Sequence, residues 1–194
     1  PDYELISNFS SECFMPLCYG GGIKNMNQAK KIFALGVEKI SVQSSAINNL
    51  NFISDLSHQF GNQSIVLSID IIKSWTGKYK LFNSKESRAS NINWKDILVK
   101  AVELGAGEIV INFVNRDGMM KGVNIKLLNY LSKLTKTPTI CLGGVGNLLH
   151  MCDIFKNTSC DAIACSSVFH FGDNNPIRAR SYLKNNGVNQ RIIK

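Results

Sequence analysis

Short apolar runs alternate along the chain with stretches in which apolar residues recur every three to four positions. Short runs rich in β-branched residues are typical of buried strands, and the longer period is typical of amphipathic helices. Their alternation predicts a parallel sheet built from strand–helix units. The predicted strands are Leu17–Tyr19, Lys39–Val42, Ile65–Asp70, Glu108–Phe113, Thr139–Leu142 and Ala162–Cys165, and the predicted helices are Asn27–Leu35, Leu50–Phe60, Asn93–Leu104, Ile125–Leu134, Leu148–Lys156 and Pro176–Asn185.

Residues that favour helix ends support these bounds. Asn27 and Asn124 are predicted N-caps, because an asparagine side chain can accept a hydrogen bond from the first turn. Gly36, Gly61 and Gly105 are predicted helix ends, since glycine adopts the left-handed conformation that often follows a helix.

The segment from Lys73 to Asn91 is long and polar, with a predicted small hairpin around Lys78–Phe82. A long loop at the carboxyl end of a strand is a common place for a lid over a substrate. We therefore expect this segment to cover one face of the sheet.

Six predicted strands are two fewer than a closed barrel of strand–helix units requires. The chain opens with Pro1, and Tyr3–Phe14 is interpreted as the end of a helix that feeds a strand. We therefore expect one domain, residues 1–194, that forms an N-terminally incomplete α/β barrel without its first two strands.

Composition narrows the class of protein. The 194 residues are 44% hydrophobic, which is enough to bury one core. The sequence contains neither an apolar run of about eighteen residues nor a signal-peptide pattern, so we expect a cytoplasmic protein without a membrane partner.

The net charge of +8 raises the question of nucleic acid, but the basic residues are scattered and have no accompanying aromatic residues. We therefore expect an anionic small-molecule substrate and no nucleic-acid partner. The six cysteines form no CxxC pair and have no metal-ligand spacing, so we expect free thiols, no metal and no cofactor.

An internal repeat at an offset of about 123 residues is the most informative feature. Leu17–Gly22 aligns with Ile140–Val145, and Gln43–Ser44 aligns with Ser166–Ser167. Each copy is thus a strand, a Gly-Gly turn, a helix, a second strand and a serine loop.

The two copies predict two anion sites. Glycine at the end of a strand lets backbone N–H groups approach an anion, and the serine loop adds hydroxyl and amide donors. Two copies related by half a barrel would suit a substrate with a phosphate at each end. The alternative is that the glycines serve only tight turns and the serines only helix caps.

Two aspartates are candidates for chemistry. Asp70 ends a buried, β-branched strand, which is a good position for a general acid or base at the mouth of a barrel. Asp117 precedes a glycine after another strand, and either contacts substrate or organises a turn.

The chain also resembles a known family through seven motifs that occur in the family's order. Together they identify it as similar to the cyclase subunit of imidazole glycerol phosphate synthase, a phosphate-binding (β/α)8 TIM barrel. The motifs are Gly20-Gly21-Gly22-Ile23, Lys39-Ile40-Ser41, Ser68-Ile69-Asp70, Gly105-Ala106-Gly107-Glu108-Ile109, Arg116-Asp117-Gly118, Gly143-Gly144 and Ser167-Val168-Phe169-His170-Phe171.

This resemblance implies a lyase of histidine biosynthesis that works with a glutaminase subunit as a heterodimer. The family enzyme joins ammonia to a bisphosphorylated ribulosyl aminoimidazole carboxamide nucleotide. It then forms imidazole glycerol phosphate and releases an aminoimidazole carboxamide ribotide. Two aspartates perform the acid–base chemistry; Asp70 matches one, and the other belongs to the first strand. We therefore expect little activity from the 194 residues alone.

The resemblance also implies roles for individual residues. It implies phosphate contacts at Gly22, Gln43 and Ser44 for one end of the substrate, and at Asp117, Gly118, Gly144, Ser166 and Ser167 for the other. Lys39 and Glu108 match two members of a charged ring through which ammonia enters; the alternative is an ordinary buried ion pair.

Some positions depart from the family pattern. Asn112-Phe113 replaces a Thr-Ser pair, and Leu142 replaces a serine; we expect Phe113 to alter the barrel mouth. Met15–Gly20 is more similar to paralogues found with surface-polysaccharide genes, which pass ammonia to a sugar. The alternatives to the cyclase are therefore such a paralogue, or a truncated, non-catalytic remnant that binds phosphate.

Overall fold

The computed structural model of the 194-residue chain describes residues 1–83 and 88–190. Strands and helices alternate through the described residues. The strands are β1 Cys18–Gly20, β2 Lys39–Val42, β3 Ile65–Lys73, β4 Tyr79–Asn83, β5 Arg88–Ala89, β6 Glu108–Phe113, β7 Thr139–Leu142 and β8 Ala162–Ala164. The helices are α1 Tyr3–Glu12, α2 Met26–Ala34, α3 Ser44–Asn48, α4 Asn51–Phe60, α5 Trp94–Glu103, α6 Ile125–Ser132, α7 Leu148–Asn157, α8 Ser167–His170 and α9 Pro176–Asn185.

Contacts divide the chain into two compact units. Unit 1 comprises Pro1–Ile69 and Lys80–Val110, and unit 2 comprises Asp70–Tyr79 and Ile111–Lys194. Strands β3 and β6 each contribute residues to both units. Neighbouring strands follow the order β1-β2-β3-β6 in unit 1 and β3-β6-β7-β8 in unit 2.

Three strand pairs are parallel, as the sequence pattern predicts. In unit 1, β1 pairs with β2 through Cys18 and Lys39, and β2 pairs with β3 through Ile40 and Ile65. In unit 2, β7 pairs with β8 through Ile140 and Ala162. Because parallel strands carry their loops for substrate at the carboxyl ends, this register brings the loops after neighbouring strands to one edge.

The helix ends follow the expected chemistry with one correction. Asn124 caps α6 by accepting from the backbone N–H of Leu127 at 3.0 Å, as predicted. Asn27 is not the N-cap of α2; Asn25 is, and its side chain accepts from the N–H of Gln28 at 3.0 Å. The first asparagine of the sequence Asn25-Met26-Asn27 has the extended backbone that a cap requires, and the second already lies in the helix.

The core of each unit consists of apolar side chains from one face of the strands and from the facing helices. In unit 1 Ile40, Leu56 and Leu98 are fully buried, and in unit 2 Ile111 and Leu128 are fully buried. Such packing supplies most of the stability of strand–helix units. Within the described residues, no helix has the length and apolarity needed to cross a membrane.

The polar segment after β3 does not form its hairpin around Lys78–Phe82 as predicted, because residues 79–83 are the single strand β4. Strands β4 and β5 are antiparallel, with Phe82 opposite Ala89. The turn from β3 to β4 is closed by hydrogen bonds between Ser74 and Lys78 (2.8 Å) and between Gly77 and Ser74 (2.9 Å). Residues 84–87 of the predicted lid lie outside the described residues.

Candidate functional site

In unit 1 the loop after β1 is an open Gly-Gly turn. Gly21 and Gly22 have φ values of +136° and +65°, so the turn uses the left-handed conformations that favour glycine. Both residues are exposed, and a Cβ atom built on Gly22 would have its nearest neighbour 3.7 Å away, at Pro1. The backbone N–H groups of this turn are therefore accessible to a ligand.

The loop after β2 completes the unit 1 site. Gln43 has φ −134° and ψ −86°, and Ser44 begins the short helix α3. This loop and the glycine turn border a cavity of about 820 Å³, whose walls include Gly21, Gly22, Ser41, Gln43, Ser44 and Ser68. Gly22, Gln43 and Ser44 therefore line one cavity, and their contact with a phosphate stays a prediction.

In unit 2 the corresponding turn after β7 is closed. Gly143 and Gly144 also have positive φ values, +87° and +97°, but both are buried. A Cβ atom on Gly144 would lie 2.8 Å from the carbonyl oxygen of Gly122 and 2.9 Å from Cβ of Arg116. The N–H of Gly122 donates to the carbonyl of Gly144 at 2.7 Å, so the loop after β6 is tied to this turn.

The serine loop of unit 2 repeats the local geometry of unit 1. Ser166 has φ −122° and ψ −69°, close to the angles of Gln43, and Ser167 begins the short helix α8. The cavity here measures about 230 Å³ and is lined by residues from three loops, including Asp117, Gly118, Gly144, Ser166 and Ser167. All five residues predicted for the second phosphate therefore line one cavity.

The structure refines the alignment of the repeat. The paired positive-φ glycines are Gly21–Gly22 and Gly143–Gly144, and each pair precedes an asparagine N-cap, at Asn25 or Asn147. The turns therefore align one residue differently from the sequence prediction, which placed Gly20 on Gly143. Helix α7 is one residue longer than α2 (10 residues against 9), which restores the predicted alignment at the serine loops.

Asp70 lies within β3 and is not its last residue, because the strand extends to Lys73. Its carboxylate is half-buried, and Oδ1 accepts a hydrogen bond from Nδ2 of Asn112 at 2.9 Å. Asp70 thus remains a candidate acid or base in unit 2, on the strand face that it shares with its partner Asn112.

Phe113 does not alter the mouth of the barrel, and that prediction is wrong. Successive residues of a strand point to opposite faces, and Asn112 lies on the face of Asp70. Phe113 is therefore on the other face, where it is 3% exposed and packs in the core. Among the positions that depart from the family pattern, Asn112 is the one that contacts Asp70.

Asp117 has both features that the sequence left open. Its backbone N–H donates to the carbonyl of Phe113 at 3.0 Å, and Gly118 follows with φ +71°, as in a tight turn. Its exposed side chain also belongs to a residue that lines the cavity of unit 2. The turn role is present, and it leaves the side chain available to a ligand.

Lys39 and Glu108 form an ion pair in unit 1, between Nζ and Oε1. They begin β2 and β6, so the lysine side chain crosses the intervening strand β3 to reach the carboxylate. The side chains are 31% and 22% exposed. The pair lies at the amino ends of its strands, opposite the carboxyl ends that carry the glycine and serine loops.

Cys18 is the neighbour of this ion pair in the sheet register. Burial of the thiol group, together with the nearby Glu108 carboxylate and against the opposing effect of Lys39, raises the pKa of Cys18 to about 11. Burial likewise raises the pKa of Cys165, just before the serine loop of unit 2, to about 11. Both thiols are therefore protonated near neutral pH.

Sequence reasoning missed two residues that shape the unit 2 site. Nδ1 of His150 accepts from the N–H of Gly146 at 3.2 Å, so this histidine supports the glycine turn. Met120 adopts φ +56°, which is unusual for a residue other than glycine, and lines the cavity. A helical histidine and a loop methionine carry no sequence signal for these roles, which depend on the packing of two loops.

Comparison with known proteins supports the family resemblance. The histidine biosynthesis protein family matches residues 1–175. A Pseudomonas aeruginosa PAO1 protein, "Putative imidazole glycerol phosphate synthase subunit hisF2", is 40% identical over 174 residues, 88% of this chain and 68% of that protein. A Leptospira interrogans protein, "Putative imidazole glycerol phosphate synthase subunit HisF", is 41% identical over 87% of this chain and 67% of its own length.

A Vibrio vulnificus YJ016 protein named "Putative imidazole glycerol phosphate synthase subunit hisF2" is 32% identical over 192 residues, 99% of this chain and 70% of that protein. These matches confirm the predicted fold class, since parallel strands alternating with helices are those of a partial (β/α)8 barrel of this family. The chain therefore belongs to the histidine biosynthesis protein family.

Proposed function

We propose that this chain supplies the cyclase chemistry of an imidazole glycerol phosphate synthase. In this proposal it acts as a lyase on a bisphosphorylated ribulosyl nucleotide, with ammonia as the second substrate. The observation that carries the proposal is that each unit has a cavity bordered by a Gly-Gly turn and a serine loop. A cavity of this composition suits a phosphate group, and the proposed substrate has two.

The phosphate contacts would be made by backbone amides and hydroxyl groups. In unit 1 the exposed Gly22 and the half-buried Ser44 line one cavity, to which they can offer backbone amides and the Ser44 hydroxyl. In unit 2 Gly144, Ser166 and Ser167 line the smaller cavity. Amides in such turns bind oxyanions without a counter-charge on a side chain, because several N–H dipoles converge.

Asp70 would provide general acid–base catalysis. A half-buried carboxylate with a fixed hydrogen-bond donor at Oδ1 can exchange a proton with a bound substrate. We propose that a second aspartate, on a strand that belongs to the family's barrel and that this sequence does not contain, completes the reaction.

The test is turnover of the bisphosphorylated nucleotide with ammonium salts, by the protein at its full native length. Asp70→Asn should lower kcat by about 10²–10⁴-fold, with little change in KM, because the phosphate contacts hold the substrate. Asp55→Asn, an exposed change on α4, is the matched control and should leave kcat unchanged. Equal kcat values for Asp70→Asn and the unaltered protein would contradict the role of Asp70.

We also propose a glutaminase partner, in the cytoplasm, that delivers ammonia at the end of the barrel bearing Lys39 and Glu108. The ion pair at the amino ends of β2 and β6 is the observation that supports this docking face. Glu108→Ala should then reduce glutamine-dependent activity more than activity with ammonium salts. Glu103→Ala, an exposed change on α5, is the control. Equal losses in the two assays would favour a purely structural ion pair.

A second candidate is a paralogue that passes ammonia to a sugar during surface-polysaccharide synthesis. Two of the relatives described above carry the subunit name hisF2, and Asn112 contacts Asp70 where the family pattern has threonine. A protein that binds phosphate but does not turn over the nucleotide, and that transfers ammonia to a nucleotide-linked sugar, would support this candidate. A phosphate-binding protein inactive with both acceptors would instead be a non-catalytic remnant.

A further inference from the structure

We propose that Asn112 is a positioning residue for Asp70, and that the protein keeps it there at a cost in folding stability. The inference rests on the proposed function only through the role of Asp70. The supporting contact lies in unit 2, where Nδ2 of Asn112 donates a hydrogen bond to Oδ1 of Asp70 at 2.9 Å.

The chemistry of the two groups fixes the orientation of the amide. An ionised carboxylate only accepts hydrogen bonds, so the NH₂ group of Asn112 must face Asp70. The carbonyl oxygen of the amide, Oδ1, must then face away from the carboxylate. Turning the amide over would place two acceptors against each other and lose the bond.

The same orientation leaves Oδ1 of Asn112 in an unfavourable place. The atom is buried, and within the part of the chain that the structure describes no donor makes a hydrogen bond to it. A buried carbonyl oxygen that loses its hydrogen bonds to water without replacing them destabilises the folded state. Such a group requires an explanation, and the contact on the other side of the amide provides one.

Packing keeps the amide from moving to a better position. A Cβ atom on Gly143 would lie 2.8 Å from Oδ1 of Asn112, so the oxygen lies against the backbone of the turn after β7. The neighbouring Phe113 is buried in the core and anchors β6 at this point. Asn112 is thus held between the glycine turn and Asp70, with its donor group aimed at the carboxylate.

Replacement of Asn112 by leucine is expected to change activity and stability in different directions. If Asn112 positions Asp70, Asn112→Leu removes the donor and also the unsatisfied oxygen, with a similar side-chain volume. Activity should fall while stability stays constant or rises, because the half-buried carboxylate can bond to water in place of the amide. A residue kept for structural reasons would lose stability instead.

The first experiment compares Asn112→Leu with Asn27→Leu, a matched change at an exposed position of α2, in the full-length protein. We expect kcat for the nucleotide to fall about tenfold to a hundredfold in Asn112→Leu, with KM unchanged, because a small displacement of a catalytic group has effects of this size. The urea midpoint should be equal to or above that of the unaltered protein. A lower midpoint together with an unchanged kcat would overturn the proposal.

A double-mutant cycle tests whether Asn112 acts through Asp70. In the Asp70→Asn background, Asn112→Leu should cause no further loss of kcat, since there is no carboxylate left to position. An equal loss in both backgrounds would show that Asn112 acts on its own and would contradict the inference.

A spectroscopic readout separates failure of this inference from failure of the proposed function. In ¹⁵N-labelled protein, the side-chain NH₂ signals of Asn112 can be assigned by their absence in Asn112→Leu. One of the two protons should lie downfield because it bonds to a carboxylate, and it should move upfield in Asp70→Ala. This result, in a protein that does not turn over the nucleotide, would support the contact while rejecting the cyclase. Unchanged signals in Asp70→Ala would overturn the inference whatever the activity.

Discussion

The two glycine–serine loops share a sequence pattern but differ in how they are enclosed. In unit 1, Gly22 is exposed and its surroundings are open, next to a cavity of about 820 Å³. In unit 2, Gly144 is buried against the loop after β6, and the cavity measures about 230 Å³. The first cavity has the volume of a typical small-molecule site, about 300–1,000 Å³, and the second is smaller.

This difference shows which features of a loop follow from the repeated sequence and which do not. The turn conformations and the asparagine caps depend on a few consecutive residues, and they recur in both units. The enclosure of unit 2 depends on Arg116 and Gly122, which lie in another loop. Local sequence therefore sets the chemistry of each turn, and packing from elsewhere in the unit sets its accessibility.

The largest expected difference between the units is in the loss of folding stability when one methyl group is added at each glycine turn. Gly144→Ala combines left-handed strain with overlap against Gly122 and Arg116, and should lower the free energy of unfolding by about 2–5 kcal/mol. Gly22→Ala has space around it and should cost only the strain, about 1–2 kcal/mol. Urea unfolding of the two variants measures the difference.

Gly77→Ala is the control for this comparison. Gly77 belongs to unit 2 and has φ +80°, and an added methyl group there would have nothing within 4 Å. This variant should therefore behave like Gly22→Ala. If Gly144→Ala were as mild as these two variants, the turn after β7 would be looser than described, and the contrast between the units would disappear.

A smaller effect is expected from the serine hydroxyl groups. A hydrogen bond to a charged group contributes about 1.5–3 kcal/mol, which corresponds to about tenfold to a hundredfold in KM. Ser167→Ala should raise KM about a hundredfold, because its cavity is smaller and less accessible to water. Ser44→Ala should raise KM about tenfold, since water can replace the hydroxyl in the larger cavity.

Steady-state kinetics with the nucleotide measures both values, with Ser11→Ala, an exposed change on α1, as the control. A reduced kcat with an unchanged KM would mean that these serines do not hold phosphate. Equal KM increases would show that enclosure does not strengthen the contact.

The sequence predicted the regular elements well where consecutive residues alone determine them. The bounds of β2, β6, β7 and α9 agree residue for residue with the prediction. The short helices α3 and α8 were missed, because helices of five and four residues are too short to establish a period. The extension of β3 past Asp70 to Lys73 was also missed.

The candidate site was predictable to the extent that it is built from repeats and family motifs. These placed Gly22 and Ser44 in one cavity and Gly144 and Ser167 in another. The role of Asn112 could not be read from the sequence, because it depends on which strand lies beside β6 and on which face Asp70 points. Phe113 was predicted to alter the barrel mouth, but strand alternation places it in the core.

The smallest difference is expected for the cysteine thiols, which should react with alkylating agents alike in the two units. The pKa values of Cys18 in unit 1 and Cys165 in unit 2 are both raised to about 11, mainly by burial of the thiol. Since only the thiolate reacts, alkylation at each site should be slow at pH 8 and should accelerate about tenfold per pH unit up to about pH 11. Mass spectrometry after timed alkylation gives both rates. A rate that levels off below pH 9 at one site would show that the units differ in thiol environment as well.

Nuclear magnetic resonance with inorganic phosphate tests whether each unit holds an anion through its glycine turn and serine loop. In ¹⁵N-labelled protein, the amides of Gly22 and Ser44 should shift and saturate, and so should those of Gly144 and Ser167. Ser44→Ala should weaken only the first response, and Ser167→Ala only the second. If neither pair of amides shifts at millimolar phosphate, the loops are turns and caps alone, and the account is contradicted.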